Sequence, residues 1–75
     1  MKIIIKVIKG KTFTLEIDHQ QTVEELKRMI ADEDGIEMEC QKLVYKGKGL
    51  TNSKTLEEIQ LKDGSTVVVM KRKVD

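Results

Sequence analysis

The chain has 75 residues, and a chain of this length buries only roughly 60–65% of the surface its unfolded form exposes. Its 14 Lys and Arg against 13 Asp and Glu leave a net charge of +1, which points to neither nucleic acid nor a membrane surface. The single cysteine excludes an internal disulfide, and with no Trp, one Phe and one Tyr the expected core is aliphatic.

A lone Cys40 suits a reducing compartment, and the expected location is nucleus and cytoplasm. No apolar run approaches the ~20 residues of a membrane span. The apolar stretch inside Met1–Lys6 is too short for the hydrophobic region of a signal peptide. One domain over residues 1–75 is expected.

Residues 1–8 carry apolar side chains at Met1, Ile3, Ile5 and Val7, with Lys2 and Lys6 on the opposite face. That alternation predicts a strand with one face in the core. Lys9-Gly10 reads as a turn. Thr12 to Asp18 then alternates again, with Phe13, Leu15 and Ile17 expected inward, so the two runs make a β-hairpin.

Thr22 stands three residues before Glu25, the spacing of a capping box. Val23, Leu26, Met29 and Ile30 share one helical stripe, and Glu24, Arg28 and Asp32 are spaced for ion pairs on the wet side. Gly35 is a natural stop. A helix is predicted from about Val23 to Asp34.

Ile36 to Glu39 reads as a loop, Lys42–Tyr45 as a third strand and Lys46–Gly49 as a turn. Thr55 and Glu58 have capping-box spacing, so one helical turn is expected over Thr55–Ile59. After a turn at Asp63-Gly64, Thr66–Arg72 is the last strand. A hairpin, a helix and late short strands predict an α+β domain, with the helix covering one face of a mixed sheet.

The last strand does not alternate. If Val67 and Val69 face the core of Thr66–Met70, then Val68 and Met70 face outward, and Val44 likewise opposes Leu43. With Ile8 these make an apolar set on a sheet face for which the chain has no second layer. A contiguous set of this kind points to a partner, although scattered exposed aliphatics are ordinary on any surface. Lys6, Lys42, Lys46, Lys48 and Arg72 are expected to ring it. A basic rim around an apolar centre suits an apolar helix with acidic flanks.

Gly10-Lys11-Thr12, Thr14-Leu15-Glu16, Gly35-Ile36, Leu43, Gly47-Lys48, Leu50, Thr55-Leu56 and Ser65-Thr66 are spaced as in ubiquitin. The chain resembles a β-grasp, ubiquitin-like domain along its whole length. Gln41–Tyr45 with Gly47-Lys48, and Val67–Met70 with Lys71 and Lys73, resemble the ubiquitin-like domain of the excision-repair proteasome-shuttle family.

The resemblance implies a partner-binding set of Ile8, Val44, Gly47, Val68 and Met70, with Lys6, Lys42, Lys48 and Arg72 around it. It implies docking on proteasome receptor subunits, on helices of ubiquitin-interacting-motif type and on ubiquitin-associated domains, by a monomer without cofactor or metal. The ending Lys73-Val74-Asp75 departs from the Gly-Gly end of conjugated modifiers, so conjugation is not expected. A modifier whose Gly-Gly is absent from this sequence, and a domain that regulates its own protein from within, are the alternatives.

The lysines have a competing reading as a nucleic-acid surface, but only Tyr45 offers a stacking ring among them. Asp32, Glu33, Asp34, Glu37 and Glu39 lack calcium-loop spacing and read as a solvated edge. One His19 and one Cys40 make neither a closed zinc site nor a secure nucleophile–base pair, and no enzymatic activity is expected.

Overall fold

The computed structural model describes residues 1–72. Its elements are β1 (Lys2–Val7), β2 (Thr12–Glu16), α1 (Val23–Asp34), a 3-10 helix (Met38–Cys40), β3 (Gln41–Tyr45), β4 (Lys48–Gly49) and β5 (Thr66–Lys71). The strands form one sheet in the order β2-β1-β5-β3-β4. β1 and β5 run parallel at its centre, and the other neighbours are antiparallel.

The odd positions of β1 meet the expected core: Ile3, Ile5 and Val7 are buried. Phe13 and Leu15 stand opposite Ile5 and Ile3, so they share the inner face. They are only half-buried, because β2 is an edge strand and the helix lies over the centre. Val23, Leu26 and Ile30 of α1 join Ile3, Ile5, Leu43, Val67 and Val69 in one cluster, closed at its margins by Ile17, Ile36, Leu56 and Leu61.

The helix has the predicted limits. The Thr22 hydroxyl accepts the Glu25 N–H at 3.2 Å, satisfying one of the unpaired amides of the first turn. Gly35 adopts φ 74° and donates its N–H to the Ala31 carbonyl, the left-handed cap that only glycine takes without steric cost. The ion pairs suggested by the spacing of Glu24, Arg28 and Asp32 do not form. The pair at this helix is instead Lys11 with Asp34, at 3.6 Å, which ties the β1–β2 turn to the end of α1. Asp34 lies in the last turn, where the helix dipole favours a cation, and the Lys11 ammonium sits there, 3.4 Å from the Glu33 carbonyl.

Three local expectations change. The loop after Gly35 tightens into the 3-10 helix at Met38–Cys40. Lys46–Gly49 is not all turn: Lys46 (φ 52°) and Gly47 (φ 78°) are both left-handed, the signature of a two-residue type I′ hairpin. That turn folds Lys48 and Gly49 back onto Tyr45 and Val44 as β4. Thr55–Ile59 makes one helix-like bond, from the Ile59 N–H to the Thr55 carbonyl at 3.3 Å, but no regular helix. Its capping box is nonetheless reciprocal. Thr55 N–H donates to Glu58 Oε2 and Glu58 N–H to Thr55 Oγ1, both at 3.1 Å.

Candidate functional site

Paired strand residues share a face, so the register lays out the side of the sheet away from α1 in rows. One row runs Thr12–Lys6–Val68–Val44–Gly49 across all five strands. The next holds Met70 opposite Lys42, with Ile8 beside Met70. The Ile8 N–H donates to the Val69 carbonyl at 2.9 Å, carrying the parallel pairing one residue past β1. A third row holds Thr14, Ile4 and Thr66.

Val44, Val68 and Met70 are therefore neighbours. Each is half-buried, while Leu43, Val67 and Val69 on the inner face are fully buried. Ile8 is the most open apolar side chain among the described residues, at 43% exposure. The structure thus brings the four apolar positions read from alternation onto one surface. Lys6 and Lys42 are exposed beside them, each in direct register with Val68 or Met70.

The remaining predicted residues lie around the β3–β4 end and the end of β5. Gly47 is in the type I′ turn, and a Cβ there would meet nothing within 4 Å. Lys48 pairs with Tyr45, at the open edge of the sheet. The Lys46 ammonium lies 5.4 Å from the centre of the Tyr45 ring, within cation–π range. Arg72 is exposed and anchored by its N–H to the Cys40 carbonyl at 2.9 Å.

Ile4 is the outward residue that sequence reasoning missed. It lies between Lys2 and Lys6 on the face assigned to lysines, and β1 and its neighbours leave it half-buried between Thr14 and Thr66. The signal was the unbroken Ile3-Ile4-Ile5 run, one apolar residue more than alternation allows.

Two titrating groups are perturbed. The Ser65 hydroxyl, 3.3 Å from the Tyr45 hydroxyl, draws the phenol below its ordinary value; burial opposes this next in size, and Lys46 and then Lys62 add to the lowering. Burial lowers the Lys27 ammonium, Arg72 lowers it further, and Glu24 partly restores it. His19 and Cys40 line different surface hollows. Among the described residues, no three His, Cys, Asp or Glu side chains converge as a metal site, and no helix is long and apolar enough to cross a membrane.

The family model described as "Ubiquitin family" matches residues 3–74. The chain belongs to the ubiquitin family. Its mixed sheet with one helix across it is the β-grasp arrangement of that family. This ubiquitin-family chain is 39% identical over 75 residues to the "Probable ubiquitin receptor RAD23" of Oryza sativa subsp. japonica, covering 96% of the chain and 19% of that protein. It is 36% identical over 73 residues to the human "UV excision repair protein RAD23 homolog B", covering 93% and 18%. "Ubiquilin" of Dictyostelium discoideum is 34% identical over 71 residues, covering 95% and 14%. The chain thus spans less than a fifth of the length of each of these relatives. The departure from a Gly-Gly ending falls on Lys73–Asp75, outside the described residues.

Proposed function

We propose that this ubiquitin-like chain is a non-catalytic docking module, whose outer sheet face receives apolar α-helical segments of partner proteins. The observation that carries the reading is the juxtaposition of Val44 and Val68, with Met70 and Ile8 adjoining, on a face that no element among the described residues covers. Interfaces combine an apolar centre with a polar rim, and Lys6, Lys42, Lys48 and Arg72 supply a basic one. A basic rim favours acidic flanks on the partner and speeds encounter with them.

Likeness to a ubiquitin receptor and an excision-repair protein supports a finer reading. In it the chain docks on proteasome receptor subunits and ubiquitin-interacting-motif helices, as shuttle factors for ubiquitinated substrates do. The docking species is the monomer, with no cofactor. The test is titration of the labelled chain with a ubiquitin-interacting-motif peptide, followed by amide NMR. Shifts are expected at Ile8, Val44, Gly47, Val68 and Met70. Binding that leaves these amides unmoved would overturn the reading.

A further inference from the structure

β2 is the outer strand of the sheet on the side away from β4, and no strand among the described residues pairs with its far edge. Met1 and Ile17 exchange both backbone bonds, the Ile17 N–H donating to the Met1 carbonyl at 2.8 Å and the Met1 amine to the Ile17 carbonyl at 2.7 Å. At the other end the Val7 N–H donates to the Lys11 carbonyl at 3.2 Å. Bonded and non-bonded pairs alternate along an antiparallel ladder. Phe13 and Leu15 therefore bond to β1, while Thr12, Thr14 and Glu16 turn their backbone N–H and C=O groups to the open edge.

Soluble proteins blunt such an edge with Pro, Lys, a bulge or a covering element. β2 uses none of these devices among the described residues. Thr-Phe-Thr-Leu-Glu alternates cleanly, pairs with β1 in continuous register and contains neither Pro nor Lys. Its surroundings are also self-complementary in charge. Lys9 and Lys11 precede the strand, the latter shared with Asp34, whereas Glu16 ends it and Asp18 follows. A parallel copy would set like charges together; an antiparallel copy sets each basic end beside an acidic one.

We infer that the β2 edge pairs with β2 of a second copy of this chain, antiparallel about a twofold axis at Thr14. In that register Thr14 bonds Thr14 of the second copy, and Thr12 of each copy bonds Glu16 of the other. Every outward backbone group of the strand is then used. Phe13 meets Leu15 of the second copy in the close, non-bonded pairs of the inner face, covering two side chains that the single chain leaves half-buried. A slip of two residues leaves outward groups unmatched, and a slip of one sets inner-face residues against outer-face ones.

The axis stands perpendicular to the sheet, so both helices fall on one side and both outer faces on the other. The pair thus presents two docking surfaces side by side. This goes beyond the docking of a single chain and does not rest on it. A strand edge of 5 residues buries less than the ~1,200 Å² of a standard interface, so the dissociation constant is on the order of 1 mM and a dilute chain docks as a monomer. Copies tethered together reach that effective concentration.

The test is a concentration series of the labelled chain up to about 1 mM, the range in which so weak a contact fills, read by amide NMR and sedimentation. The mean mass is expected to rise toward the dimer, with shifts centred on Thr12, Thr14 and Glu16. Thr14→Lys and Thr14→Glu, both at an exposed position, should each remain monomeric, because like charges then face each other across the axis. An equimolar mixture of the two should pair again, and each should still bind the helical peptide. A parent mass that stays monomeric at the highest concentration would overturn the inference. So would self-association centred on Ile8, Val44 and Val68, or one that both Thr14 variants retain. Shifts at the β2 amides only on adding an unrelated extended peptide would assign the edge to another partner and overturn it too.

Discussion

Val44 and Val68 stand directly opposite each other across the antiparallel β3–β5 pair, half-buried on the face that α1 leaves open. Their inward neighbours Leu43 and Val69 are likewise opposite and fully buried. One strand pair therefore carries two apolar layers, one spent on the core and one turned outward. Folding alone asks for the first.

Substitution at Val44 separates the two roles. Val44→Ala removes two methyl groups and should weaken helix docking by about 1 kcal/mol. Val44→Asp should abolish docking at working concentrations, because it would desolvate an unpaired charge next to acidic flanks. Thermal stability of the free chain should change little for the alanine variant. Calorimetric titration of the two variants with the helical peptide measures both effects; equal affinity for Val44→Asp and the parent would sink the docking assignment.

Leu56 offers a test of what holds the irregular segment. It lies outside any helix or strand, yet it is fully buried in the core cluster, and its N–H donates to the Gln21 carbonyl at 2.9 Å. That bond and the Val23 N–H to Lys54 carbonyl pin the segment against the start of α1. Leu56→Ala should cost about 2–5 kcal/mol by the usual cost of a buried leucine truncation, as large as at Leu26 of the helix. Urea unfolding decides it. A loss under about 1 kcal/mol would mean the segment is peripheral.

The helix and the outer patch were legible in the sequence for different reasons. Thr22 and Gly35 carry chemistry that punctuates a helix, so both ends of α1 are fixed by local side chains and backbone freedom. The patch was legible because strand parity is strict: once Leu43, Val67 and Val69 face in, Val44, Val68 and Met70 must face out. β4 was not legible, since Lys48-Gly49 has no strand pattern and becomes a strand only because a type I′ turn returns it to Val44 and Tyr45.

Gln60 is a reservoir of backbone strain. It adopts φ 60° without glycine's freedom, in the turn that follows the Thr55–Glu58 box. Left-handed geometry costs an L-residue roughly 1–2 kcal/mol, and glycine's extra unfolded entropy offsets part of what it would relieve. Gln60→Gly should therefore stabilise the chain by about 0.5–1 kcal/mol. Lys46→Gly relieves a similar strain at φ 52° but loses the Lys46 contact with the Tyr45 ring, so its gain should be smaller. Denaturant midpoints of the two variants give the ranking, and a destabilised Gln60→Gly would refute the account.

The Tyr45–Ser65 contact predicts an alkaline signature. Ser65 Oγ accepts the Lys62 N–H at 3.0 Å and lies 3.3 Å from the Tyr45 oxygen, where either hydroxyl can donate in the neutral pair and only the serine hydroxyl can donate once the phenol has ionised. A donor aimed at the phenol favours the phenolate, so the native chain should ionise below the ordinary value of 10.0. The folded value then lies below the unfolded one. The native state releases this proton first, and the associated stability is present above the unfolded value and lost as pH falls through the folded value. Ser65→Ala should raise the Tyr45 titration followed by phenolate absorbance, and its stability relative to the parent should fall further as pH climbs past 10 than it does at neutrality. An unchanged absorbance midpoint in Ser65→Ala would show that Lys46 and Lys62, not the hydroxyl, set the phenol's acidity.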